Sequence, residues 1–170
     1  METGETFLSE KDGVVFIRVK GNASFVCAPP LRELAKRLAS EPFGGLRIDL
    51  EECTWMDSTF MGMLAMLGLN AKKKGVPAEI WNASEQNEKL LGGLGLKKVF
   101  AFQAGAFGGA DDAPAASTAS NAVTAENNAR NVLDAHQTLM DIDVSNVPKF
   151  EKVVEYVKKD IDRMEQNKKQ

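Results

Sequence analysis

The chain has one histidine, His136, and two cysteines, Cys27 and Cys53, among 170 residues. One imidazole and two distant thiols form no close ligand cluster, so neither a metal site nor a disulfide framework is predicted. A pair of reduced thiols in a cytoplasmic protein is the simplest reading. No apolar run is long enough to span a bilayer; the richest, residues 60–69, is about half the length needed. The start, METGE, has no basic region and no apolar region, so neither a signal peptide nor membrane insertion is expected. Charge has no strong bias: 21 Lys and Arg face 24 Asp and Glu, for a net of −3. That balance excludes nucleic acid as an obvious partner.

What is present suits a globular chain: 44% hydrophobic and 26% charged residues, enough for one compact domain and an appendage. Residues 1–104 carry 13 basic and 13 acidic side chains, whereas residues 105–170 carry 8 and 11. The acidity therefore belongs to the C-terminal part.

Val14 to Lys20 is β-branched and aromatic, as in a strand. Pro29-Pro30 opens a helix with Leu31, Leu34, Ala35 and Leu38 at helical spacing, ending near Ser40. Leu46, Ile48 and Leu50 alternate with charged residues, which predicts a half-buried strand. A helix follows from Ser58 to about Lys74, stopped by a basic turn and Gly75. Ala78 to Asn82 reads as a short strand, Ser84 as the cap of a third helix, and residues 99–102 as a last strand. This order predicts an α/β fold, one sheet with helices against it.

Three units are expected: a domain over 1–103, a glycine-rich flexible linker over 104–123, and a helical hairpin over 124–170. The first hairpin helix, about Ala125 to Met140, places Val132, Leu133, His136 and Met140 on one side. The second starts near Pro148 and carries Phe150, Val153, Val154, Val157, Ile161 and Met164 at helical spacing. These stripes can close on each other, dock on the domain, or pair with another molecule.

The stretch with most chemistry is Met56-Asp57-Ser58-Thr59-Phe60-Met61-Gly62, joining strand to helix. Free N–H groups and the helix dipole make a helix start a good address for negative charge. Phosphorylation of Ser58, or of Thr59 as second choice, would turn a neutral surface dianionic. The same residues also read as a plain helix cap, since Asp, Ser and Thr all favour that position. The two readings are compatible.

This Asp57-Ser58-Thr59 junction, followed by Gly62, resembles the start of the second helix in the STAS domain family. The turn Gly21-Asn22-Ala23-Ser24, leading into Pro30-Leu31-Arg32-Glu33, matches that family too, and the resemblance spans about residues 5–103. It implies a small mixed sheet with helices mostly on one face, extended here by the C-terminal hairpin. It also implies an anti-sigma factor antagonist: a non-enzymatic module with no cofactor. Such a module binds an anti-sigma factor that is a serine kinase while Ser58 is unphosphorylated. Phosphorylation releases it, and a metal-dependent serine phosphatase resets it. Partner contacts are then expected at Asp57, Ser58, Thr59, Phe60, Met61 and Gly62, with Asn22 and Ser24. Phe60 stands where many members carry glycine. The alternative within the family is a non-switched scaffold subunit of a sensory or transport-associated complex, assembled through the hairpin as a homo-oligomer.

Other motifs weigh less. Met56, Met61, Met63 and Met66 read first as core, though methionine also suits an adaptable surface. Gly92-Gly93-Leu94-Gly95 follows a helix rather than a strand and lacks Gly-Lys-Ser/Thr, so it reads as a helix stop. A phosphoaspartate receiver needs acids after its first strand, where this chain has Lys20-Gly21-Asn22. His136 reads as a packing residue. A Ser-His-Asp triad would need it to reach across the linker to Ser58, with no Gly-x-Ser-x-Gly elbow present, and nothing in the sequence supports that.

Overall fold

Asp12 and Gly13 both adopt positive φ, 52° and 81°. That is the demand of a tight two-residue hairpin turn, for which Asp-Gly is well suited. The turn joins β1 (Glu5–Lys11) to β2 (Val14–Ala23) in an antiparallel pair. The first strand is absent from the sequence-based expectation, which begins at Val14. In the computed structural model, residues 4–108, 116–117 and 124–169 are described. Most of the segment expected to be a linker lies outside the described residues.

Parallel strands β3 (Gly45–Met56), β4 (Ala78–Trp81) and β5 (Ala101–Gln103) continue the sheet from β2. A two-residue β6 (Ala116–Ser117) pairs antiparallel with β1, giving the order β5-β4-β3-β2-β1-β6. The helices of the domain are α1 (Ala28–Ser40), α2 (Ser58–Lys74) and α3 (Glu85–Gly93). The C-terminal hairpin is α4 (Ala125–Ile142) and α5 (Val147–Lys168), joined by a short 3-10 turn at Val144–Asn146. The fold is thus a mixed α/β sheet with helices packed on one face and a helical hairpin added.

The core lies between that sheet face and the helices. Ile17, Ile48, Leu50, Phe60, Leu64 and Ile80 are fully buried there. Helix α1 turns Ala28, Leu31, Leu34, Ala35 and Leu38 inward, the amphipathic face its spacing predicts. Helix α2 packs against both α1 and α4, so its nearly continuous apolar surface is covered rather than exposed. On the opposite sheet face, Phe107 is buried against Phe16 and Trp81 at centroid separations of 5.7 and 6.4 Å. Part of the expected linker therefore packs on the sheet.

The hairpin faces differ from the expected stripes. The buried residues of α4 are Asn131, Ala135, His136 and Leu139, whereas Val132, Leu133 and Met140 are only partly covered. Helix α5 buries Val154 and Ile161 and leaves Val153 exposed. The reason is that α4 is packed from more than one side, chiefly by α2 and α5. Toward α2 it presents Ala135, whose small size permits close approach to Gly62.

Candidate functional site at the start of the second helix

Residues from two strand ends are tied together by one carboxylate. Asp57 caps α2, with Oδ1 accepting the Phe60 N–H at 2.8 Å, and Oδ2 accepts the Phe25 N–H at 2.8 Å. Its own N–H donates to the Ala23 carbonyl at 2.9 Å. The end of β2, the end of β3 and the first turn of α2 are thereby locked at the carboxyl edge of the parallel strands, where open α/β sheets build their sites. Ser24 accepts from the Val26 N–H at 3.3 Å and caps the 3-10 turn Phe25–Cys27. Asn22 accepts from the Thr54 hydroxyl at 2.9 Å. Asn22, Ser24, Asp57 and Ser58 thus share one edge.

The remaining expected contact residues are placed differently. Ser58 is half-buried, while Thr59 is only 5% exposed. Met61 and Gly62 are buried as well. Phe60 is in the core and offers no side-chain surface to a partner in this conformation. Three exposed apolar side chains flank the site instead: Phe25, Val26 and Trp55, at 45%, 37% and 46%. Sequence reasoning missed them. A readable signal was there for Trp55, a large aromatic within the polar end of a strand, beside Glu51, Glu52 and Thr54.

His136 also corrects the sequence reading. Its Nε2 lies 2.8 Å from the Ser58 hydroxyl, so the histidine does reach Ser58. Its Nδ1 lies 2.6 Å from the Val132 carbonyl, which can only accept. The proton of the neutral ring therefore sits on Nδ1, and Ser58 donates to Nε2. The imidazole is buried edge-on against Phe150, with centroids 5.0 Å apart. This is not a catalytic triad. The group behind the histidine is a carbonyl rather than a carboxylate, and both oxygens of Asp57 are occupied by backbone N–H groups.

Helix α4 meets the domain at two further points. A Cβ at Gly62 would lie 2.5 Å from the Ala135 carbonyl oxygen and 2.6 Å from the Ala135 Cβ. Arg32 of α1 pairs with Asp134 at 2.7 Å. Below the site both thiols are buried. Burial raises the Cys27 thiol above its ordinary range and pushes Cys53 up to about 11. Among the described residues no group of three His, Cys, Asp or Glu side chains could hold a metal ion. Among them, too, no helix is long and apolar enough to cross a membrane.

The STAS domain family matches residues 8–106. The anti-sigma-B factor antagonist of Bacillus subtilis (strain 168) is 30% identical over 102 residues, covering 60% of this chain and 93% of that protein. An anti-sigma factor antagonist from Mycobacterium paratuberculosis aligns with a TM-score of 0.48 and 22% identity, covering 59% of this chain and 86% of that one. The unphosphorylated form of the antagonist SpoIIAA aligns with a TM-score of 0.47 and 16% identity, covering 50% and 79%. With more than half its length matched, the chain belongs to the STAS domain family of protein-interaction modules, as a homologue of anti-sigma factor antagonists with extra C-terminal helices beyond the core domain.

Proposed function

We propose that the protein is a phosphorylation-switched antagonist of an anti-sigma factor, with Ser58 as phosphoacceptor. The unphosphorylated protein binds an anti-sigma serine kinase; the phosphorylated form is released, and a metal-dependent serine phosphatase restores it. The observation that carries this reading is the half-buried Ser58 hydroxyl at the first turn of α2, on a helix start anchored by Asp57. Asn22, Ser24, Phe25, Val26 and Trp55 extend the contact surface around it. Thr59 is the weaker acceptor because it is buried.

A phosphate adds roughly −1.5 to −2 charges and three acceptor oxygens. Set beside Asp57 and inside a partner's footprint, such a charge costs several kcal/mol. A loss of about 3 kcal/mol weakens binding roughly 150-fold. The test is calorimetric titration of the cognate kinase with Ser58→Ala and Ser58→Asp. Binding by the alanine variant and a drop of about two orders of magnitude for the aspartate variant are expected. Equal affinities would end the proposal.

A second reading, a non-switched scaffold subunit, has one observation in its favour. Val144, Val153 and Tyr156 of the hairpin are exposed, at 81%, 38% and 71%, and would be covered in a homo-oligomer. Light scattering at micromolar concentration that finds only monomer removes this reading.

A further inference from the structure

We propose that the C-terminal hairpin is a gate in cis over Ser58, occupying the face of α2 that a kinase or partner has to touch. This rests on the reading of Ser58 as the functional hydroxyl, and it adds the regulation of that site.

Three observations carry it. The first is occupancy of the hydroxyl. Ser58 Oγ is within 2.8 Å of a buried ring nitrogen, and a phosphoryl group with three further oxygens has no room between them. Transfer to Ser58 therefore has to break the bond to His136, the contact through which α4 covers the hydroxyl. The second is contact without a gap. Gly62 and the Ala135 backbone touch so closely that not even a methyl group fits, so no partner side chain can enter while α4 is docked.

The third is that the hairpin is built to leave as a unit. Glu126 of α4 pairs with Arg130 and with Lys168 of α5, and Arg130 also pairs with Glu165 at 2.6 Å. These bonds lie within the hairpin and persist when it leaves the domain. Its attachments to the domain mix polar and apolar contacts. The polar ones, besides Ser58 to His136, are Arg32 to Asp134, Lys98 to Asp143 at 3.2 Å and to the Ile142 carbonyl at 3.3 Å, Lys149 to the Gly93 carbonyl at 3.2 Å, and Asn146 to the Leu94 carbonyl at 2.8 Å. The two ion pairs are partly exposed and weaken with salt. Ala135, Leu139, Ile142 and Phe150 add apolar cover, a small set beside the domain core.

The experiment reads access to position 58 without any kinase. Ser58→Cys is placed in the full chain, alone, with Asp134→Arg, and with Asp134→Arg plus Arg32→Asp. A bulky maleimide then reports the rate of thiol modification, with the site assigned by mass spectrometry. Cys27 and Cys53 are buried, and their silence certifies that the domain is folded. Because reactivity follows exposure of the thiolate, Asp134→Arg is expected to raise the rate tenfold or more. Restoring the ion pair in reversed polarity is expected to return it to within about threefold of the parent. Equal rates in all three proteins overturn the gate.

Hydrogen exchange on the unaltered chain gives an independent reading. Amides of α4 and of the first turn of α2 are expected to exchange together and faster than those of β3. Protection of α4 equal to that of β3 overturns the proposal. Neither outcome depends on the kinase, so the gate and the phosphorylation switch can fail separately.

Discussion

Gly62 of α2 and Ala135 of α4 meet backbone to side, with a hypothetical Cβ on Gly62 only 2.5 Å from the Ala135 carbonyl oxygen. A carbonyl in the middle of a helix cannot yield as the end of a flexible side chain can. The conflict created by Gly62→Ala is relieved by lifting α4, not by rearranging the core beneath α2. In the undocked domain the same change favours the helix by about 1 kcal/mol. Gly62→Ala is therefore expected to keep the sheet amides protected while those of α4 exchange at least tenfold faster. Hydrogen exchange with mass spectrometry checks this, and unchanged protection of α4 would count against it.

Asp57 ties the start of α2, through Phe60, to Phe25, which lies 32 residues before Asp57 in the chain. Asp57→Ala removes the helix cap and leaves a second N–H without its acceptor. A loss of about 2 kcal/mol is expected in urea unfolding. Asp57→Asn keeps one oxygen for the cap and gives up the other, so about half that loss is expected. Equal losses for the two variants would mean that only one of the bonds contributes.

Burial raises the Cys53 thiol to about 11. The fold favours the neutral thiol, so its contribution is fully present below the unfolded value, roughly 8.5. It declines as pH rises from there through 11. The urea midpoint of the native protein is expected to fall between pH 8.5 and 10.5. Cys53→Ala is expected to start lower at pH 7 and to show a shallower alkaline decline.

Asp143, in the turn between α4 and α5, is held down to about 2 by the Ser145 hydroxyl, the Ser145 N–H and Lys98. A depressed carboxyl contributes above its unfolded value of about 3.9, and the contribution is lost as pH falls toward 2. Thermal melts between pH 5 and pH 2 are expected to fall more steeply for the native chain than for Asp143→Asn. Parallel pH profiles would show that these bonds add nothing to docking of the turn.

Much of the domain was legible because its signals are local. The alternation of Leu46, Ile48 and Leu50, the Asp57 cap and the Gly75 stop concern residues within a turn or two of one another. They gave α2 its ends and placed Ser58 at a helix start. Strand β1 was not legible from its pattern. Thr6 and Leu8 point toward the helices while Phe7 faces the other way, against Lys20. An inward threonine and an outward phenylalanine invert the usual alternation. Its Asp12-Gly13 turn was the signal that could have found it.

The chain alone determined a STAS-type domain, its helix boundaries and a serine at the start of α2. It also determined that two amphipathic helices follow. Only the tertiary structure decided that α4 lies on α2, with His136 bonded to Ser58 across 78 residues. The reason is physical. Periodicity reports which side of a helix avoids water, but it carries no information on which surface covers it. That choice rested on a glycine small enough to admit Ala135, on the ion pair of Arg32 with Asp134, and on one imidazole nitrogen left free to accept.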